Sequence, residues 1–120
     1  MSWIVEFHPL FAEEYRELAE AVQDRLLEEV AVLEEFGPQL GRPMVDTLNN
    51  SQHSNMKELR FDAAGGVWRV AFAFDPKRQA ILLVAGDKSG VSQQRFYKQL
   101  LKKADRRFSE HLQRLKENKT

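Results

Sequence analysis

Three cations stand where their spacing suggests phosphate chemistry. Arg60 lies in Lys57-Glu58-Leu59-Arg60-Phe61, Arg69 in Val67-Trp68-Arg69-Val70-Ala71-Phe72-Ala73-Phe74, and Lys88 just beyond the apolar run from Ala80 to Ala85. A guanidinium grips two oxygens at once and stays charged at any relevant pH. Cations fixed in advance are what a phosphodiester needs as negative charge builds in its transition state. Side chains alternate along a strand, so Glu58 and Arg60 share one face while Leu59 and Phe61 share the other. On the next strand Trp68, Val70, Phe72 and Phe74 make an apolar face, and Arg69 projects from the opposite one between small residues. If the apolar faces coincide, Arg60 and Arg69 leave the sheet on the same side, and the small alanines predict an open surface around them. Lys57 and Arg95 are the candidate substrate-binding cations flanking this set. The competing role for sheet arginines is cross-strand pairing with Glu58, Asp62 or Asp75.

Other chemistries find less support. The chain has no cysteine, which removes disulfides, zinc–thiolate sites and thiol nucleophiles together. His8, His53 and His111 show no metal-ligand spacing. No glycine-rich loop precedes a helix, no serine sits in a nucleophile elbow, and Gly65-Gly66 reads as a hairpin turn. The carboxylate pairs Glu13-Glu14, Glu28-Glu29 and Glu34-Glu35 fall on a helical stretch and read as solvated surface. No cofactor and no metal are expected.

The elements that must carry the cations follow from periodicity. Trp3 to Phe7 is a short β-prone run. Pro9 suits a first helical turn. From there Phe11, Tyr15, Leu18, Val22, Leu26, Val30 and Leu33 recur at helical spacing until Gly37-Pro38 stops them. This segment is either one long helix or a helical hairpin bent near Glu20-Ala21, the hairpin being preferred. Leu40 to Leu48 reads as a connector and Asn49 to Asn55 as a polar loop. Lys57 to Lys88 reads as three strands joined by short turns at Gly65-Gly66 and Asp75 to Arg78. Ser92 is a plausible N-cap for a last helix marked by Phe96, Leu100, Ala104, Phe108, Leu112 and Leu115. The expected fold is therefore α+β. A small antiparallel sheet, an N-terminal strand plus a three-stranded meander, packs with the N-terminal helical segment and a C-terminal helix.

A chain of 120 residues is one domain with one core, spanning 1–120. At 42% hydrophobic and 30% charged residues it is an ordinary globular composition. The longest apolar run is too short to span a bilayer, and no secretory signal is visible, so no membrane is expected and the cytoplasm is the default location. A net charge of zero hides an asymmetry. Met1 to Phe36 holds ten acidic residues against Arg16 and Arg25, whereas Lys88 to Thr120 holds ten basic ones against Asp105, Glu110 and Glu117. Local field, not total charge, steers a charged ligand. The basic last helix, with Arg95, Lys98, Lys102, Lys103, Arg106 and Arg107, is thus either a solvated face or a grip for an anionic partner.

Taken in order, Leu40-Gly41-Arg42-Pro43, Lys57-Glu58-Leu59-Arg60-Phe61, Gly66-Val67-Trp68-Arg69-Val70-Ala71-Phe72 and an apolar strand ending at Lys88 resemble the RelE/ParE toxin superfamily. The resemblance is to its phage-related HigB-like branch. It runs over nearly the whole chain and is clearest between Leu40 and Lys88. It implies a toxin of a type II toxin–antitoxin pair, typically a ribosome-dependent mRNA endonuclease that needs no metal. Its implied partners are a cognate antitoxin, often a helix-turn-helix DNA-binding protein, and the ribosome with its mRNA. By the same resemblance Arg60, Arg69 and Lys88 become the catalytic residues. The branch usually carries an aromatic and a pair of lysines near the end of the third strand, where this chain has Gly86-Asp87-Lys88-Ser89-Gly90.

The implied reaction is attack of a ribose 2′-hydroxyl on the adjacent phosphodiester. Arg60 and Arg69 would hold the phosphate, and Lys88 would bind it or protonate the leaving oxygen. The base stays unassigned among Glu58, His53 and Tyr97, with neighbouring arginine expected to lower the pKa of Glu58 and so argue against it. Two further readings stay open: a ParE-like inhibitor of DNA gyrase, and a non-catalytic module that binds nucleic acid or protein through its basic last helix.

Overall fold

A computed structural model describes residues 2–118. Its elements are β1 (Ile4–Phe7), α1 (Pro9–Arg16), α2 (Glu20–Phe36), β2 (Val45–Thr47), β3 (Lys57–Ala63), β4 (Gly66–Phe74), β5 (Gln79–Asp87) and α3 (Gln93–Glu117), with a 3₁₀ turn at Gly37–Gln39. The five strands form one sheet in the order β1-β5-β4-β3-β2.

The meander β3-β4-β5 is antiparallel as expected. Two features depart from expectation. The N-terminal strand joins β5 in parallel, pairing Ile4 with Gln79 and Phe7 with Leu82, so the sheet is mixed. The parallel sense follows from the connection, because helices and strands rather than a tight turn lie between β1 and β5. The expected connector also contains an edge strand, β2, with Val45 opposite Leu59 and Asp46 opposite Glu58.

The helical segment is broken at residues 17–19, close to the expected bend. Across the break the Gln23 carboxamide donates to the Tyr15 carbonyl at 2.7 Å, and the Tyr15 hydroxyl donates to the Gln23 carbonyl at 3.4 Å. These bonds tie the end of α1 to the start of α2 across the break. The chain leaves α2 through Gly37, whose φ of 57° and ψ of −139° suit glycine alone.

Two apolar layers sandwich the sheet. One face carries Leu59, Phe61, Val70, Phe72 and Leu82 against Phe11, Val22, Leu26 and Leu33 of α1 and α2. The other carries Ala71, Ala73, Ile81, Leu83 and Val84 against Phe96, Leu100, Ala104 and Phe108 of α3. Phe11, Leu26, Phe72 and Leu82 are fully enclosed, each contributing roughly 1.5–3 kcal/mol of burial. The alanines flanking Arg69 therefore mark the seat of α3 and not an open surface: small side chains let the helix sit close. Gly86 serves the same purpose, since a Cβ there would come within 2.9 Å of the Phe96 ring.

Polar clamps hold α3 down. Arg107, 4% exposed, donates to both carboxylate oxygens of Glu14 at 2.8 and 2.6 Å and to the Leu83 carbonyl at 2.7 Å. The β-bulge in β5 accounts for that carbonyl: Ala71 pairs with Val84 and Phe72 with Leu82, so Leu83 falls out of register. Asp105 takes the Ser51 hydroxyl and the Gln52 N–H, and His111 donates to buried Asp75 at 2.8 Å. Arg107 is thus a buried tie between helices, correcting its place on a solvated basic face. Among the described residues, no helix is long and apolar enough to cross a membrane.

Candidate active site

Between the first half of α3 and strands β2 and β3 lies an open cleft of about 990 Å³. Its floor is the same sheet face that α3 covers further along. Because Glu58 and Arg60 are two apart on β3 and Asp46 pairs with Glu58, all three present to this floor. Arg60, Lys88, Glu58, Tyr97, Lys98 and Lys102 line the cleft, with Asp46 and Arg42 at the β2 rim.

Arg60 and Arg69 are direct cross-strand partners, so both belong to the expected face. Their exposure differs. The Arg60 side chain is 29% exposed, with Nη1 3.8 Å from the Asp46 carboxylate. Arg69 is enclosed at 6%. Its Nη1 donates to the Trp68 carbonyl at 2.9 Å, and its Nε lies 3.7 Å from Glu58 Oε1. The expectation that both guanidinium groups open to solvent is corrected: α3 roofs Arg69, and only Arg60 lines the cleft.

Lys88 follows β5 on a turn organised by Asp87. The Asp87 carboxylate accepts from the N–H of Val67 at 3.0 Å and from the N–H and hydroxyl of Ser89, and these bonds hold its pKa below the ordinary value. The Lys88 N–H donates to the Val67 carbonyl at 2.9 Å. Partial burial, then the fields of Arg69 and Arg60, push the Lys88 ammonium below its usual pKa. That makes it a readier proton donor than a solvated lysine.

Glu58 reverses an expectation. Neighbouring arginines do pull its pKa down, but burial outweighs them and the carboxyl titrates above the ordinary glutamate value. The Tyr97 hydroxyl donates to Glu58 Oε1 at 2.8 Å, and burial followed by this bond raises the Tyr97 pKa. Tyr97 thus folds over the sheet, as a place near the start of α3 allows. Helical spacing alone marks it as core, so nothing in the pattern predicts the contact. His53 lies elsewhere: its Nε2 shares a 3.0 Å hydrogen bond with the Ser109 hydroxyl, and its ring meets Phe108 edge-on.

The two flanking cations separate. Lys57 pairs with Phe72, three residues from Arg60, so alternation carries it to the other sheet face, away from the cleft. Arg95 is exposed on α3 and lines a second, smaller groove of about 520 Å³ that borders the cleft.

The arrangement offers an anchoring guanidinium, a proton-donating ammonium and a carboxyl tuned upward, which together suit displacement at a phosphodiester. Comparison with known proteins shows the family and the fold. Residues 13–109 match the family described as Phage derived protein Gp49-like (DUF891). Two Mycobacterium tuberculosis proteins, HigB2 and HigB3, both named as candidate toxins, are 50% and 53% identical over 91 and 78 residues. Those stretches cover 75% and 65% of this chain but 45% and 66% of the relatives, so the chain spans less than two thirds of their length. In fold it is similar to a mutant of the E. coli toxin RelE in the free state, with a TM-score of 0.65 at 13% identity over 89% of this chain and 98% of that one. It is also similar to the archaeal RelE–RelB complex from Pyrococcus horikoshii OT3, with a TM-score of 0.55 at 22% identity over 76% of this chain and 100% of that one.

Proposed function

The chain belongs to the Gp49-like family, and we propose that it is the toxin of a type II toxin–antitoxin pair that cuts mRNA on the ribosome without a metal. The observation that carries the reading is the meeting of Arg60 and Lys88 in one open cleft on the sheet, with the buried Glu58 carboxyl at its floor. The names of the mycobacterial relatives support the toxin assignment.

In the reaction, the Glu58 carboxylate takes the proton of a ribose 2′-hydroxyl. The freed oxygen attacks the adjacent phosphorus while Arg60 holds the non-bridging oxygens and matches their growing charge. The bond from phosphorus to the 5′-oxygen breaks, and Lys88 gives that oxygen its proton. The products are a 2′,3′-cyclic phosphate and a 5′-hydroxyl. Arg69 acts through Glu58: it is a positioning residue, with no surface of its own in the cleft. Its partner would be a cognate antitoxin, as RelB stands to RelE in the archaeal complex.

The test is a translation mixture of ribosomes, mRNA and the protein, with cut ends mapped. Cleavage leaving cyclic phosphates is the expected result. Intact message together with blocked supercoiling by DNA gyrase would replace this reading with inhibition of that enzyme.

A further inference from the structure

The second groove shares a wall with the cleft. Gln94, Lys98 and Lys102 line both, while Ser92, Arg95 and Gln99 line the groove alone. Residues 94, 98 and 102 are four apart and so form a stripe along α3, with Arg95 and Gln99 beside it. The stripe is the crest between the two depressions.

Its charge is unbalanced. Among the described residues, no carboxylate lies within ion-pair distance of Arg95, Lys98 or Lys102. The carboxylates bordering α3 are engaged elsewhere, Asp105 by Ser51 and Gln52, Glu14 by Arg107. The cleft holds Asp46, Glu58 and Asp105, whereas the groove is lined by no acid. Like charges one turn apart weaken a helix, and among the described residues no ion pair offsets the cost here. An external polyanion would. The surface is narrow, exposed, and continuous with the place where one phosphate is to be held, which fits a flexible single strand better than a rigid duplex.

We propose that the first half of α3 is a track for single-stranded RNA, along which the strand held in the cleft continues outward over Lys98 and Lys102 to Arg95. This rests on the nuclease reading and adds the route of its substrate. Nucleotides beyond the cleft then contribute to binding through their phosphates, independently of base identity.

The test uses the full chain and oligoribonucleotides methylated at every 2′-oxygen, which cannot be cut. Binding of a 4-nucleotide and a 12-nucleotide RNA is followed by fluorescence anisotropy across a salt series. For the parent protein the longer RNA binds more tightly than its number of sites explains. In the triple variant Arg95→Gln, Lys98→Gln, Lys102→Gln, the 12-nucleotide RNA loses on the order of tenfold in affinity and the 4-nucleotide RNA much less. The slope of log K against log salt for the longer RNA falls by about two, as three lost phosphate contacts on a single strand require.

Equal losses for both lengths, or no loss, would overturn the track while leaving the cleft as the binding site. A polyglutamate peptide of matching charge that binds as well as the RNA, and is released by the same substitutions, would reassign the surface to an acidic protein. Failure of the parent protein to bind either RNA would overturn the track, whereas the nuclease reading stands or falls on cleavage in the translation mixture. Because all three side chains are exposed, the variant should fold as the parent does, which a circular dichroism melt checks.

Discussion

Arg60 and Arg69 stand directly opposite one another in the β3–β4 register, yet one reaches the cleft and the other lies under α3. The pair shows how far sidedness differs from accessibility. Alternation puts both on one face, and the roof above that face decides which can meet a ligand.

Their substitutions should therefore separate. Arg60→Ala should lower RNA cleavage by about 100-fold or more, the loss expected for one preorganised charge contact, with a melting temperature close to the parent's. Arg69→Ala should lower both activity and stability, the latter by about 1–3 kcal/mol, because it leaves a buried carboxyl without its cation. Cleavage assays and denaturant melts on both variants check this. A stable, fully inactive Arg69→Ala with an active Arg60→Ala would reverse the roles.

With Glu58 as the proposed base, a pH dependence of cleavage follows. The base must be ionised, and burial raises its pKa, so kcat/KM should climb with pH over a limb lying above the ordinary glutamate value of 4.5. The hydroxyl of Tyr97 opposes that rise by bonding the carboxylate. Removing it in Tyr97→Phe should move the limb to higher pH while activity on the alkaline side is largely kept. An unmoved limb would exclude Glu58 as the titrating base.

The tie between α1 and α3 predicts acid sensitivity. The Arg107 hydrogen bonds hold the Glu14 pKa below its ordinary value of 4.5, so the folded state favours the ionised form. The stabilisation is complete above that value and fades as pH falls through the lower folded-state pKa. Arg107→Ala should cost about 3 kcal/mol, since it breaks a pair with one buried partner and orphans the Leu83 carbonyl. Glu14→Gln should flatten the acid end of the stability profile, measured by urea melts at several pH values.

Gly37→Ala should be damaging far from any chemistry. A Cβ there would fall 2.3 Å from Nε1 of Trp3, at a φ of 57° that already disfavours a side chain. A loss of about 2 kcal/mol or more is expected, with altered tryptophan fluorescence as Trp3 leaves its edge contact with Phe74. A melt unchanged from the parent's would contradict the close packing of that corner.

Much of this was legible beforehand. Alternation in Leu59, Phe61, Val70 and Phe72 marked the buried sheet face, and the period from Phe96 to Phe108 marked α3. The edge strand at Val45–Thr47 escaped because three residues carry no readable alternation. The parallel partner of β1 escaped because pairing across the sheet leaves no local trace. Within the site, Arg60 and Lys88 could be named from strand position. The burial of Arg69 and Arg107, and the reach of Tyr97 to Glu58, depend on where α3 crosses the sheet. No spacing along the chain encodes that crossing.

The parallel ladder between Ile4–Phe7 and Gln79–Leu82 has a consequence during synthesis. As the polypeptide emerges in order, its opening strand waits, without a mate, until the fifth has left the exit tunnel. The cleft wall that α3 supplies comes later still. Strand pairing and cleft are thus completed in the order of emergence, the sheet with β5 and the cleft only once α3 has followed it.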